Sequence, residues 1–248
     1  MSGMNDHELA GWLADLAGQA LLDLRAQAFD EGVNAWDLRH RGDMLGHRIL
    51  VDALAEHRPD DAVLSEEGAD DRSRLGAART WIVDPLDGTQ DYPYHDSAEW
   101  AVHVALVEDG APTAGAVAVP GMHRLFGTDL HPVPTRPDRS SPIVVSSRSN
   151  TYYAADVADA IGARLTACGS AGVKAMLVVG GEADVYVHAS GLYEWDACAP
   201  AAVATAAGMV VADLEGDPIE YNKAHPVVRG LVIARPEYAD QVGEALRW

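Results

Sequence analysis

The chain has 248 residues, 48% of them hydrophobic and 23% charged, enough for one large or two small globular domains and too apolar for a disordered tail. Its 18 Lys and Arg against 38 Asp and Glu give a formal net charge of −20 with no basic run, which excludes a general grip on a nucleic-acid polymer or an acidic membrane. A phosphorylated substrate would need a bound metal ion to offset the chain's own field.

Leu9, Leu13, Leu16, Ala20 and Leu24 share one helical face, and Asn5 with Glu8 forms a capping-box pattern, predicting a helix over 6–28. A second helical pattern starts just after Asp43 (Leu45, Ile49, Ala53) and ends before Pro59, which puts Asp43 at a helix start. Short β-rich runs follow at 62–64, 81–83, 101–107, 113–119 and 125–128, predicting a mostly antiparallel sheet. Four prolines between Asp129 and Pro142 mark a linker, dividing the chain into an N-terminal α+β part, 1–133, and a C-terminal α/β part, 140–248. In the second part strands at 143–146, 164–167, 183–188, 209–214 and 231–234 alternate with helices at 153–162, 170–180, 197–207 and 237–246.

Cys168 and Cys198 have neither a disulfide-framework nor a zinc-site spacing, which fits a reducing cytoplasm. The N-terminus lacks the basic and apolar regions of a signal peptide, and the stretch 197–212 is interrupted by Pro200 and Gly208, too short for a membrane span.

The stretch most informative about chemistry is Trp81-Ile-Val-Asp-Pro-Leu-Asp-Gly-Thr89, an apolar strand running into two carboxylates. Asp-Gly is also a common turn, but Pro85 stiffens the link between Asp84 and Asp87, and hard oxygen donors on a fixed turn suit Mg²⁺. Glu66 and Glu67 lie at another strand end, where such a pair is most often solvated surface. Pro200 fits the first turn of a helix, placing Asp196 at or just before that helix's N-terminus, where an N-cap is its ordinary role. Gly169-Ser-Ala-Gly172 opens a predicted helix whose N–H groups suit a phosphate, with Lys174 as a nearby point charge and Arg148 as a fork for a second phosphate. Tyr152, Tyr153, Tyr193 and Trp195 offer rings on which a base would stack.

Ser65-Glu-Glu-Gly68, Trp81 to Thr89 and Trp195-Asp-Ala-Cys-Ala-Pro200 together resemble the signature segments of the inositol monophosphatase and fructose-1,6-bisphosphatase superfamily of Mg²⁺-dependent, lithium-sensitive phosphatases. Leu64-Ser-Glu-Glu67, Gly169 to Lys174, Glu194-Trp-Asp196 and Pro218 to Asn222 are similar to the bacterial CysQ-type 3′-phosphoadenosine 5′-phosphate phosphatases within it. The resemblance implies a layered αβαβα sandwich with the active site between its two parts. It implies that Glu66, Asp84, Asp87, Asp196 and the carbonyl of Leu86 bind two or more Mg²⁺ ions, and that Asp43, Thr89 and Glu66 serve catalysis, the first two by orienting the attacking water, with the Thr89 hydroxyl donating to Asp43. Asp87, Gly88, Thr89, Ser170, Lys174 and Asp196 would contact the substrate. One departure is that the family commonly has Thr a few residues before the acid aligned with Asp43, where this chain reads Arg39-His-Arg-Gly-Asp43.

The expected activity is hydrolysis of 3′-phosphoadenosine 5′-phosphate to AMP and phosphate, without a phosphoenzyme. Inositol monophosphate or fructose 1,6-bisphosphate is the alternative substrate, its ring hydroxyls meeting partners such as Glu194 and Ser170, and a metal-binding protein without turnover is the less favoured reading. The spacing Asp-x-x-Asp-Gly-Thr is one residue longer than in phosphatases with an aspartyl nucleophile. The expected partner is a small phosphorylated molecule, with no nucleic-acid polymer and no membrane, and a homodimer stays open.

Overall fold

The capping box at the N-terminus is formed: Glu8 N–H donates to Asn5 Oδ1 and Asn5 N–H to Glu8 Oε2, both at 2.9 Å, opening α1 (Asp6–Glu31). The coordinates are a computed structural model describing residues 3–130, 141–149 and 151–248. α2 (Ala35–His57) begins well before the predicted start, with Asn34 as N-cap accepting Asp37 N–H at 3.0 Å. Asp43 is therefore a mid-helix residue, not a cap. The early turns escaped the periodicity because, of residues 35–41, only Leu38 is buried and the rest is largely polar.

β1 (Ala62–Ser65), β2 (Arg79–Asp87), β3 (Ala101–Glu108), β4 (Ala111–Val119) and β5 (Arg124–Gly127) form one sheet in chain order, β1 parallel to β2 and the rest antiparallel. The predicted linker at 129–142 falls mostly on 131–140, outside the described residues. Beyond it come β6 (Ile143–Ser146), α3 (Tyr152–Ile161), β7 (Arg164–Ala167), α4 (Ala171–Val179) and β8 (Val185–His188). Then follow β9 (Leu192–Tyr193), α5 (Glu194–Ala206), β10 (Val210–Ala212), β11 (Val227–Val228), β12 (Leu231–Ala234) and α6 (Ala239–Leu246). The second sheet has the order β10-β12-β8-β6-β7, with β6 parallel to both neighbours, while β9 and β11 pair as a small ribbon that the hydrophobic pattern did not mark.

Strand side chains alternate between faces, and both faces of both sheets are covered. Trp81, Val83, Val102, Val104 and Leu106 pack with α1 and α2, whereas Ile82, Ala101, Ala105 and Val107 face α4 and α5. From the other side Val145, Tyr186, Leu231 and Ile233 of the second sheet meet the same two helices, and Val144, Val185, Val187 and Val232 turn outward onto α3 and α6. The result is the expected αβαβα layering. Its middle layer, α4 and α5, comes from the second half of the chain and packs against a sheet from each half, so residues distant in sequence converge there. Among the described residues no helix is long and apolar enough to cross a membrane.

Candidate active site

The site grows out of an irregularity in β2. Asp84 lies opposite His103 of β3, then the register slips until Asp87 faces Ala101. Within the slip Leu86 N–H donates to Asp84 Oδ1 at 3.0 Å, closing a turn, and Thr89 Oγ–H donates to Leu86 O at 2.9 Å. Gly88 ends the turn at φ 85, and its Cα faces Glu99 O so closely that a Cβ there would collide.

Three other elements bring their acids to this turn. The backbone of α2 rests against it: a Cβ on Gly46 would lie 2.8 Å from Pro85 O. Asp43, three residues earlier, shares that face of the helix. Parallel pairing of Ser65 with Val83 puts Glu66 just past the end of β1, where its N–H reaches Val83 O at 3.4 Å. α5 begins at Glu194, so Asp196 is its third residue, with Oδ2 accepting Tyr193 N–H at 3.1 Å. The expectation from Pro200 is corrected here: Pro200 lies in the second turn, where its missing N–H removes a bond to the Asp196 carbonyl, and Asp196 is not the N-cap.

One oxygen from each of Asp84, Asp87 and Asp196 lies within 4.8 Å of the others. Burial pushes the Asp84 carboxyl well above the usual range, helped by Glu66, Asp87 and Asp196. Burial raises Asp196 to about 7, with Asp87 and Glu66 adding, and raises Glu66 to about 7. Asp43 rises to about 7 through burial and then Glu67. Asp87 goes the other way: burial acts to raise it but is outweighed by His103, Ser170 and Lys174. Asp84 Oδ2 is buried without a hydrogen-bond partner, an arrangement that an oxygen-seeking cation fits. The other acidic cluster among the described residues, Asp213, Glu215 and Asp217, is bridged by Arg229, 2.8 Å from Asp213.

Several sequence expectations change. The N-terminus of α4 receives Asp87 rather than lying free for phosphate: Ser170 Oγ–H and Gly172 N–H donate to its Oδ2, the latter at 2.7 Å, and Ala171 N–H to Oδ1 at 3.2 Å. Lys174 is 1% exposed, its ammonium donating to the carbonyls of Cys168, Gly169 and Ser170, so it offers no free donor to a second phosphate. Arg148 is held by Asp91, at 2.9 Å, and by Glu99. Glu194 is fully buried and accepts the N–H groups of Asn222 and Lys223, which removes it as a partner for ring hydroxyls. Thr89 donates to Leu86 O rather than to Asp43. His103 was missed altogether. It reads as one polar residue in an apolar strand, and only its register opposite Asp84 signals its place.

A family model described as "Inositol monophosphatase family" matches residues 13–247. The chain belongs to that family. It is 39% identical over 250 residues to a Mycobacterium leprae protein named 3′-phosphoadenosine 5′-phosphate phosphatase, covering 95% of this chain and 91% of that one. It is 32% identical over 193 residues to the Escherichia coli K12 protein named 3′(2′),5′-bisphosphate nucleotidase CysQ, covering 73% and 78% of the two chains. Among solved structures, CysQ from Bacteroides thetaiotaomicron superimposes with a TM-score of 0.75 at 28% identity, over 92% of this chain and 96% of that one. The family is one of metal-dependent phosphatases acting on small phosphorylated substrates, and Asp84, Asp87 and Asp196 form an acidic cluster that could hold a metal ion.

Proposed function

We propose that this chain is a Mg²⁺-dependent phosphomonoesterase that hydrolyses 3′-phosphoadenosine 5′-phosphate to AMP and phosphate, recycling the nucleotide by-product of sulfur assimilation in the cytoplasm. The observation that carries the substrate is the likeness to the 3′-phosphoadenosine 5′-phosphate phosphatase along 95% of the chain. Asp84, Asp87, Asp196, Glu66 and the Leu86 carbonyl are the groups that would hold two or more Mg²⁺ ions. Bound there, Mg²⁺ supplies positive charge to the phosphate oxygens and the departing alkoxide and makes water more acidic.

The chain's own groups supply the rest. Asp43, with its carboxyl raised to about 7, is suited to draw the attacking water's proton and fix its direction. Thr89, its own proton directed to Leu86 O, keeps lone pairs free to accept from the same water. The water oxygen forms a bond to phosphorus as the P–O3′ bond breaks, and the electron pair leaves on the ribose oxygen, which takes up a proton. No carboxylate becomes phosphorylated. Lithium inhibition belongs to the same reading.

For the nucleoside, the Tyr193 and Trp195 rings stack with centroids 4.6 Å apart and planes 7° apart, next to Asp196, and Tyr193 is half exposed. Such a pair suits a planar base, whereas an inositol or sugar ring would ask for hydroxyl partners of the kind that Glu194 does not provide. The deciding experiment compares kcat/KM for 3′-phosphoadenosine 5′-phosphate, inositol 1-phosphate and fructose 1,6-bisphosphate in Mg²⁺. The nucleotide should be preferred, and preference for either other substrate overturns the assignment.

A further inference from the structure

We propose that Arg74 is a positioning residue for the metal centre, tying the loop that carries Glu66 to the segment that holds the first turn of α5. The inference rests on the reading of Glu66, Asp84, Asp87 and Asp196 as metal ligands. The loop leaves β1 through a turn closed by Gly68 N–H on Ser65 O at 3.1 Å and returns to β2 through a short 3₁₀ turn, Arg72–Gly76. Arg74 stands in that turn and is fully buried. Its guanidinium holds Asp70, four residues after Glu66, at 2.7 Å and then crosses to the other half of the chain. One N–H donates to Asn222 Oδ1 at 2.6 Å and another to Lys223 O at 3.0 Å. The Asn222 amide completes the tie, its Nδ2 donating to Arg74 O at 3.0 Å and to Thr80 Oγ1 at 3.2 Å, on the strand that carries Asp84 and Asp87.

The far side of the tie reaches Asp196. From Asn222 the chain runs on to β11, which pairs with β9 at Tyr193, and Pro226 O accepts Glu194 N–H at 2.9 Å. Residues 222–228 therefore bridge Arg74 at one end and the residues just before Asp196 at the other. Asn222 adopts φ 59, a left-handed conformation that asparagine tolerates better than most residues. Guanidinium and amide groups keep fixed protons, so the Arg74 contacts with Asn222 and Lys223 do not change as the site's carboxyls titrate. A buried ion is a poor source of stability, because apolar side chains of the same volume do as well or better, whereas a rigid fork of N–H groups sets a distance and a direction. Metal sites depend on ligands held to about 0.5 Å. Glu66 and Asp196 come from opposite halves of the chain, and this fork fixes the one relative to the other.

The test is substrate-free binding of Mn²⁺ to the full chain, followed by electron paramagnetic resonance, beside thermal unfolding. Arg74→Lys keeps a charge beside Asp70 but loses the fork, and Asn222→Gly keeps the backbone conformation but loses the amide. Both should raise the Mn²⁺ Kd about 10-fold. The control is Arg79→Met, which removes a cation held by Asp6, Asp61 and Glu108 at the opposite end of β2 and should lower the Tm without moving the Kd. Arg74 and Asn222 variants that melt earlier but bind Mn²⁺ as the wild type does overturn the proposal. An equal rise in Kd for Arg79→Met also overturns it, since affinity would then follow stability alone. If Arg74→Lys fails to fold, Asn222→Gly decides by the same criteria. A wild-type chain that binds no Mn²⁺ refutes the metal reading itself, a result distinct from unchanged affinity in the variants.

Discussion

The backbone N–H of Gly172 donates to Asp87 Oδ2 at 2.7 Å, so the first turn of α4 is closed by a carboxylate from the other half of the chain. Helix N–H groups favour negative charge at that point, and the buried Lys174 contributes from behind. Asp87 is held ionised while burial and like charge drive its neighbour Asp84 toward the neutral form. Two carboxylates three residues apart are thereby shifted in opposite directions, and the loss of positive charge anywhere around Asp87 disturbs both.

Replacing Asp84 by Asn keeps an acceptor for Leu86 N–H while putting an amide where the orphaned oxygen lies. Metal binding and phosphate release should disappear together, with little rescue by excess Mg²⁺. Glu66→Gln, at a more exposed position, should be rescued further. Mg²⁺ activation curves for both variants check this, and full rescue of Asp84→Asn would remove Asp84 from the ligand set.

The raised carboxyls make the metal-free protein sensitive to pH. Asp43, Glu66 and Asp196 titrate at about 7 in the folded chain, above their ordinary values of 3.8, 4.5 and 3.8. Over that interval the folded state binds more protons than the unfolded state, so stability falls as pH rises from about 4 to about 7. In EDTA the Tm should be higher at pH 5 than at pH 8, and Mg²⁺ should restore it chiefly at pH 8. A metal-free Tm that rises across this window contradicts the crowding of these acids.

How far the sequence carried this site depends on where each residue's signal lay. Asp84 and Asp87 were legible because a hydrophobic strand, a proline and an Asp-Gly pair are local features. Lys174 was not: a lone cation at a helix start reads as exposed, and only the folded chain shows its three carbonyl partners. Asp43 was found as an acid but set at the wrong place in its helix, because the polar turns after Ala35 carry no apolar period. The α+β and α/β halves followed from the strand and helix pattern and the layering from the family resemblance, whereas the Asp87 contact with α4 spans 85 residues and leaves no local trace.

Lys174→Met separates a structural cation from a substrate anchor. Removing the ammonium takes the donor from the Cys168 and Gly169 carbonyls, while Ser170 O keeps the Lys174 N–H at 3.2 Å; each carbonyl left bare costs about 1–3 kcal/mol, so the Tm should drop. Because Lys174 makes no free contact, kcat/KM for the nucleotide bisphosphate and for a simple monophosphate should fall by similar factors. A loss confined to the bisphosphate would return Lys174 to the substrate.

Tyr193 offers the sharpest test of the substrate. Its ring lies half exposed on Trp195, and its backbone N–H is tied to Asp196 at 3.1 Å, which fixes the stack beside the acids. Stacking a base on an aromatic ring contributes about 1–3 kcal/mol, equivalent to roughly 5- to 150-fold in kcat/KM. Tyr193→Ala should lose that factor on 3′-phosphoadenosine 5′-phosphate while leaving turnover of inositol 1-phosphate or a small aliphatic phosphate nearly unchanged. Tyr193→Phe, which keeps the π-face and drops the hydroxyl, should behave as wild type. Equal losses on all substrates would mean that Tyr193 acts through the position of Asp196, and no loss on the nucleotide would mean that the base lies elsewhere.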